Sequence, residues 1–316
     1  AFPENECFLN GRKIENMDKI PVFPEWIMKR YSLHEKTMTM LAENVVKYAD
    51  IKVPCAPEVL EKVNLLENEI QKAFEAGYDE VVKIPELHLF QWMAKIMYGV
   101  LYNDIMHGIH QNKTKDKVFK LSPLLTKKFA NLHQMLQSLI TPMQFNQFIP
   151  WSIVIVPVNY SQDVFNYKDE TKNINFSLGM NGFGIVACLQ DNGENKKHHQ
   201  NLLNKIGSKT LHPIQFEELW SRFLYSNYLL NTSSDYRFDT SGEAVEVELA
   251  LLSEENKLPR FGKWDDKTFS QVLANYWKPW GLTTNDIYAF PNSPISYLED
   301  EYTNEFIEPA TIKHQH

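Results

Sequence analysis

Two short segments organise the N-terminal part of this chain: Glu6-Cys7-Phe8-Leu9-Asn10-Gly11-Arg12-Lys13 and Val53-Pro54-Cys55-Ala56-Pro57-Glu58-Val59-Leu60-Glu61-Lys62. The first contains a turn signal at Asn10-Gly11. The second continues into a predicted amphipathic helix over residues 57–77, which has apolar residues at helical spacing and a glycine at its end. A cysteine loop, an extended segment, a second cysteine segment and a helix follow one another in this order. That is the layout of a small zinc-stapled finger.

The order of these segments resembles bacterial proteins with an HNH-endonuclease-like zinc finger. In that family a Cys-x-x-Cys knuckle precedes an acidic-His-hydrophobic-x-Pro segment, and a second Cys-x-x-Cys leads into Asn and a helix. Cys7 matches the leading cysteine, and the run Val22-Phe23-Pro24-Glu25-Trp26 matches the residues after the family histidine. A looser similarity continues through Phe90-Gln91-Trp92 and Tyr276-Trp277-Lys278-Pro279-Trp280-Gly281.

Most of the family's chemical groups are replaced in this chain. The remnant finger residues are Cys7, Asn10 at the second thiolate position, and Cys55, which is a neighbour of the second knuckle rather than a member of it. The other replaced positions hold Ile20-Pro21 for the acidic-histidine pair, Ala56 and Val59 for two cysteines, and Leu60 for the asparagine. A structural zinc site needs four nitrogen or sulfur ligands, and HNH cleavage needs an imidazole and a divalent ion. We therefore expect a finger that folds by packing, holds no metal and does not cleave.

The replaced residues have three explanations: natural decay to a metal-free scaffold, deliberate replacement, or a retained nuclease that uses other residues. A zinc ion and a divalent ion are expected only in the third case; otherwise no cofactor is expected. The resemblance also implies that the finger lies against a nucleic-acid backbone. The predicted contacts are Arg12, Lys13, Lys29, Arg30, His34 and Lys36. The alternative for this cluster is a solvated helix face.

Composition limits the class of protein. The chain has 316 residues, of which 43% are hydrophobic and 23% charged, as expected for a globular protein with a substantial core. Its net charge of −8 argues against a surface that is basic throughout. Three cysteines are too few for a disulfide framework and indicate a reducing compartment, which we take to be the cytoplasm. No apolar run is long enough to span a membrane.

The remaining patterns predict an α+β fold, with a degenerate ββα finger (1–76), a helical region (77–140) and an α+β region packed on it (141–316). A hairpin over residues 37–53 has its turn at Glu43-Asn44, and helices are predicted over 85–106, 122–140, 193–206, 213–230 and 269–277. Strands over 151–156, 173–178 and 183–189 predict a three-stranded antiparallel meander, and 244–249 a further strand. Residues 231–242 are predicted to be a loop.

Three further features have competing interpretations. The lysines in 111–120 form either a phosphate-binding patch or a solvated linker. The pair His198-His199 is interpreted as solvated rather than as metal-binding, and Cys188 as an inert buried thiol.

The sequence as a whole favours a catalytically inactive HNH-like protein that acts as a nucleic-acid-binding or scaffold module. The alternatives are an active metal-dependent HNH-type endonuclease and a protein interaction module without nucleic acid. Expected partners are therefore DNA, RNA or a protein, and not a membrane.

Overall fold

The structure is a computed structural model and describes residues 5–14, 19–40, 45–113, 122–231, 235–249 and 259–313. It confirms the predicted α+β class. The first half of the chain contains, in order, β1 (Lys19–Pro21), α1 (Glu25–Arg30), β2 (Thr37–Thr39), β3 (Val45–Lys47), β4 (Lys52–Pro54), α2 (Pro57–Ala76), α3 (Tyr78–Val81), α4 (Glu86–Lys113), α5 (Pro123–Leu136) and β5 (Met143–Phe145).

The second half continues with β6 (Ser152–Pro157), β7 (Phe165–Glu170), β8 (Asn175–Met180), β9 (Phe183–Cys188), α6 (Glu194–His198), α7 (Gln200–Ile206), α8 (Pro213–Leu229), β10 (Tyr236–Asp239), β11 (Val245–Leu249), α9 (Asp266–Trp277) and α10 (Thr284–Ile287). The chain divides into two compact units. Unit 1 comprises Ala1–Gln147 and Tyr236–Leu249, and unit 2 comprises Phe148–Asp235 and Ala250–His316.

Unit 1 has short strands around a helical core. Strand β1 pairs antiparallel with β4, and β2 pairs antiparallel with β3, which confirms the predicted hairpin. The predicted hairpin turn at Glu43-Asn44 lies outside the described residues. Helix α2 starts with proline at its first position, and Gly77 with φ +95° ends it. The buried residues of α2 face the core, where they pack against α4. The ring of Phe74 on α2 lies 5.1 Å from the ring of Trp92 on α4, measured between centroids.

A third sheet in unit 1 corrects one expectation. Strand β10 pairs antiparallel with β11, and β11 pairs in parallel with β5, so the predicted loop over 231–242 contains a strand. This strand, Tyr236–Asp239, has only four residues with aromatic and charged side chains in alternation. It becomes a strand because β11 offers it a partner.

Unit 2 is built on a four-stranded antiparallel sheet in the order β6-β9-β8-β7. The predicted three-stranded meander is wrong, because β7 was missed and β6 pairs with β9 rather than with β8. Strands β8 and β9 are buried along their whole length. Helix α8 packs on β9 so closely that a Cβ at Gly184 would lie 2.3 Å from the ring of Phe216. Glycine is therefore required there for packing.

Glu218 on α8 attaches the C-terminal segment to unit 2. Its side chain is completely buried, and one oxygen accepts hydrogen bonds from Arg222 Nη2 (2.8 Å) and Ser296 Oγ (2.7 Å). The other oxygen accepts from the backbone N–H groups of Tyr297 (2.7 Å) and Leu298 (3.2 Å). The segment after residue 287 therefore packs on the unit. Within the described residues, no helix combines the length and apolarity needed to cross a bilayer.

Candidate functional site: a paired dithiol in unit 1

A tight loop positions Cys7. The Cys7 N–H donates to the Arg12 carbonyl (2.8 Å), and the Gly11 N–H donates back to the Cys7 carbonyl (3.0 Å). Gly11 has φ +66°, a conformation that glycine adopts without steric cost. The Asn10 side chain supports the turn by accepting from the Arg12 N–H at 3.1 Å. The predicted turn at Asn10-Gly11 is confirmed.

The end of β4 brings Cys55 to this loop. The Phe8 N–H donates to the Pro54 carbonyl at 2.8 Å, so the segments around the two cysteines are joined by backbone hydrogen bonding. Both side chains are buried and reduced, with 3% of Cys7 and 2% of Cys55 exposed. The Cys55 S–H has two acceptors, the Cys7 sulfur and the Ala56 carbonyl 3.5 Å away. The structure thus pairs two cysteines that are 48 positions apart in the sequence.

The environment of Cys7 favours its thiolate. The hydrogen bond from Cys55 is the main cause that lowers the pKa of Cys7 to about 6, against the opposing effect of burial. The backbone N–H groups of Asn10, Ala56 and Leu9 add to this effect. The same contact raises the pKa of Cys55, because its proton is held by the neighbouring thiolate. The two thiols therefore titrate as a coupled pair in which the Cys7 sulfur is the more acidic.

Helix α5 anchors the Cys7 loop from the other side. His133 Nε2 lies 2.8 Å from the Phe8 carbonyl, and Gln137 Nε2 donates to the Leu9 carbonyl at 2.6 Å. Burial lowers the pKa of His133, so this imidazole is neutral at pH 7 and donates through Nε2. The ring of Tyr98 on α4 stacks on Phe129 at 4.6 Å and lies 5.1 Å from His133.

A cavity of about 310 Å³ opens at this loop. Its wall is formed largely by aromatic side chains from α4 and α5 and by the cysteine loop itself: Glu6, Cys7, Phe8, Gly11, Tyr98, Tyr102, Thr126, Phe129, Ala130 and His133. Burial raises the pKa of Tyr98, with smaller contributions from Tyr102 and from Cys7. The cysteine and the two tyrosines line the same cavity.

The residues at the family's zinc-ligand positions do not fit zinc. The Asn10 side chain is turned outward and donates to Glu58 Oε1 at 3.1 Å, while Ala56 and Val59 are buried in the core. Only two sulfur atoms remain at these positions. Both cysteines are reduced, and they form hydrogen bonds with each other and with backbone groups. In the described part of the chain, no three His, Cys, Asp or Glu side chains are grouped so that they could hold a metal ion. Pro21 lies in β1 opposite Lys52.

The six predicted nucleic-acid contacts lie in two places, and Arg12, Lys29 and His34 lie within ion-pair distance of acids. On the cysteine loop, Arg12 Nη1 lies 3.0 Å from Glu58, whereas Lys13 is exposed. On and after α1, Glu25 lies 3.6 Å from Lys29 and 3.1 Å from His34. The guanidinium of Arg30 lies 5.5 Å from the ring centre of Tyr31, and Lys36 is exposed. The predicted lysine patch over 111–120 lies outside the side chains that the structure describes.

Unit 2 contains buried polar clusters that the sequence did not reveal. Lys168 on β7 lies 2.7 Å from Glu217 Oε1, which also accepts from Asn166 at 2.6 Å. Burial lowers the pKa of Lys168, and Glu217 opposes this effect. His199 is 7% exposed and bonds to Ser226 Oγ at 2.9 Å, so the expectation of a solvated His198-His199 pair is wrong for His199. Burial lowers its pKa to about 3. Cys188 is fully buried, as predicted.

Comparison with known proteins gives no independent assignment. No protein-family model, no curated protein and no solved structure matches this chain.

Proposed function

We propose that this protein is a catalytically inactive HNH-like protein and that its N-terminal unit acts as a metal-free scaffold module. One observation carries the proposal. The two remaining cysteines form a hydrogen bond with each other, and aliphatic side chains occupy the positions of the missing ligands. Ala56 is 1% exposed and Val59 is completely buried. Packing of this kind can replace coordination, because apolar residues of suitable volume stabilise a core by themselves.

The surface charges favour a protein partner over nucleic acid. Arg12, Lys29 and His34 each lie within ion-pair distance of a carboxylate. A phosphate would have to compete with that carboxylate for the cation. Together with the net charge of −8, these pairs reduce the electrostatic attraction that nucleic-acid binding requires. A reducing cytoplasm agrees with three buried, reduced cysteines and forms part of the proposal.

Nucleic-acid binding is the second candidate, and Lys13 and Lys36 favour it. Both lysines are exposed, and neither forms an ion pair with another described residue. They lie on the two segments that the family resemblance would place against a phosphate backbone. If these lysines contact phosphates, the affinity for duplex DNA should fall as the salt concentration rises. The logarithm of the binding constant should fall with the logarithm of the salt concentration with a slope of about −0.9 for each phosphate contact.

Metal analysis and melting in chelator test the proposed scaffold. We expect the purified full-length protein to contain far less than one zinc per chain, and its melting temperature to be unchanged by EDTA. Structural zinc proteins unfold when the metal is removed. Plasmid incubated with the protein and Mg²⁺ or Mn²⁺ should remain supercoiled. One zinc per chain together with chelator-induced unfolding, or nicking that copurifies with the protein, would refute the proposal.

A DNA titration separates the two candidates. The protein is titrated with fluorescent duplex DNA at low and at moderate salt, and the Lys13→Ala/Lys36→Ala variant is compared with a matched Lys62→Ala/Lys72→Ala variant on exposed positions of α2. The scaffold proposal predicts equally weak binding by all three. A loss of binding and of salt dependence confined to the first variant would instead establish nucleic-acid binding.

A further inference from the structure

We propose that Cys7 is an oxidation site for small hydroperoxides and that Cys55 resolves the oxidised cysteine into an intramolecular disulfide. The inference is carried by the cavity that Cys7 lines, the sulfur contact between the two cysteines and the backbone donors around Cys7. It goes beyond the proposed function, because it holds whether unit 1 binds a protein, a nucleic acid or neither.

The cavity gives a small oxidant access to an otherwise buried thiol. Cys7 is only 3% exposed, yet it forms part of the wall of a space of about 310 Å³. Such a volume corresponds to roughly ten water molecules at about 30 Å³ each, so hydrogen peroxide fits easily. The rings of Tyr98, Tyr102 and Phe129 form the apolar part of the wall.

The two cysteines differ in the way that a two-step oxidation requires. Three backbone N–H groups and the Cys55 thiol surround the Cys7 sulfur and favour its thiolate, which is the nucleophilic form. The raised pKa of Cys55 favours its protonated form, so it is a thiol when Cys7 is oxidised. Their roles are therefore distinct: Cys7 attacks the oxidant, and Cys55 attacks Cys7.

The steps balance without a metal or a cofactor. The Cys7 thiolate attacks the terminal oxygen of the hydroperoxide and the O–O bond breaks. The departing alkoxide, or hydroxide from hydrogen peroxide, takes a proton from water in place of the one that Cys7 released, and leaves as an alcohol or as water. Cys7 becomes a sulfenic acid. The Cys55 sulfur then attacks the Cys7 sulfur, the S–O bond breaks, and the Cys55 proton leaves with the hydroxide as water. Two thiols and one hydroperoxide give one disulfide, one alcohol and one water.

The backbone geometry suits the disulfide. The Phe8 N–H donates to the Pro54 carbonyl, which joins the residue after Cys7 to the residue before Cys55. The two sulfur atoms are in contact in the reduced protein, and a disulfide requires such proximity of the two side chains.

The test is peroxide oxidation of the reduced full-length protein followed by disulfide mapping. Cys188 is the internal control, because it is fully buried in β9 and lies outside this cavity. We expect a linked peptide pair containing Cys7 and Cys55 to form while Cys188 remains a thiol. A Cys188→Ser variant should behave like the wild type. A Cys55→Ser variant should stop at a sulfenic acid on Cys7 that dimedone traps.

Several outcomes would overturn the proposal. They are oxidation of Cys7 no faster than that of Cys188, disulfides only between different chains, and Cys7 oxidation that needs denaturant. If Cys55→Ser does not fold, as judged by circular dichroism, the wild-type mapping alone decides. A disulfide between Cys7 and Cys55 supports the proposal, and its absence after Cys7 has been consumed refutes it.

Discussion

Replacing Glu218 with alanine should destabilise unit 2 severely, because the carboxylate holds α8 to the C-terminal segment. It accepts from Arg222 at 2.8 Å, from Ser296 at 2.7 Å and from the backbone of Tyr297 and Leu298 at 2.7 and 3.2 Å. Hydrogen bonds to charged groups contribute about 1.5–3 kcal/mol each, and they are not additive. Breaking a buried ion pair by removing one partner costs about 3–5 kcal/mol.

We therefore expect Glu218→Ala to lower the free energy of unfolding of unit 2 by about 4 kcal/mol. Glu218→Gln should cost less, because an amide keeps the shape and one acceptor oxygen. The measurement is urea denaturation of the full-length protein followed by tryptophan fluorescence, since Trp220 and Trp277 are buried in this unit. Glu301→Ala, an exposed position in the same segment, is the control and should change stability by less than about 0.5 kcal/mol. An effect of Glu218→Ala as small as that of the control would refute this account of how the segment is held.

Three further predictions address the dithiol, the buried histidine and the packing on the sheet. The rate of Cys7 alkylation by iodoacetamide, followed by mass spectrometry, should rise with pH and reach its half-maximal value near pH 6. Cys55→Ala should move this midpoint to higher pH, because the main cause of the lowered pKa is gone. A wild-type midpoint at the value of an ordinary thiol, about 8.5, would contradict this. His199 is held neutral with a pKa of about 3, so the unfolded state binds its proton first on acidification. The free energy of unfolding should therefore fall below about pH 6.5, by on the order of 3 kcal/mol at pH 4. Urea titrations at each pH should show a smaller dependence of this free energy on pH for His199→Gln. An unchanged dependence would exclude His199 as the cause. Gly184→Ala should cost about 1–3 kcal/mol in the same titrations, because its Cβ would overlap the Phe216 ring, and a neutral effect would show that the helix can move away.

Much of the helical architecture could be predicted because it is encoded locally. The long apolar sequence of α4 and the proline and glycine at the two ends of α2 can be recognised without knowledge of distant residues. The missed strand β7 shows where this reasoning fails. Its apolar and polar alternation covers only Phe165 to Lys168 and is followed by two acidic residues, which strands disfavour, so the strand signal is short. All six side chains are half-buried at the edge of the sheet.

The candidate site was only half predictable. Cys7 and Cys55 stand out in the motif, but their contact depends on a hydrogen bond between Phe8 and Pro54 that no local pattern announces. His133 was missed for another reason. It lies on the inward face of α5, four residues from Phe129 and four from Gln137, and an analysis confined to apolar positions passes over it. A polar residue at helical spacing within a buried stripe is the signal that could have identified it.

The parallel pairing of β5 with β11 has a practical consequence for anyone who dissects this protein. Residues 148–235 of the other unit lie between the two strands, so the smaller sheet is completed by chain that is synthesised late. A fragment cut after Gln147 would leave β5 with an unsatisfied edge, which invites aggregation. Loss of partner binding in such a fragment would report an unfinished sheet, and would say nothing about which unit binds the partner.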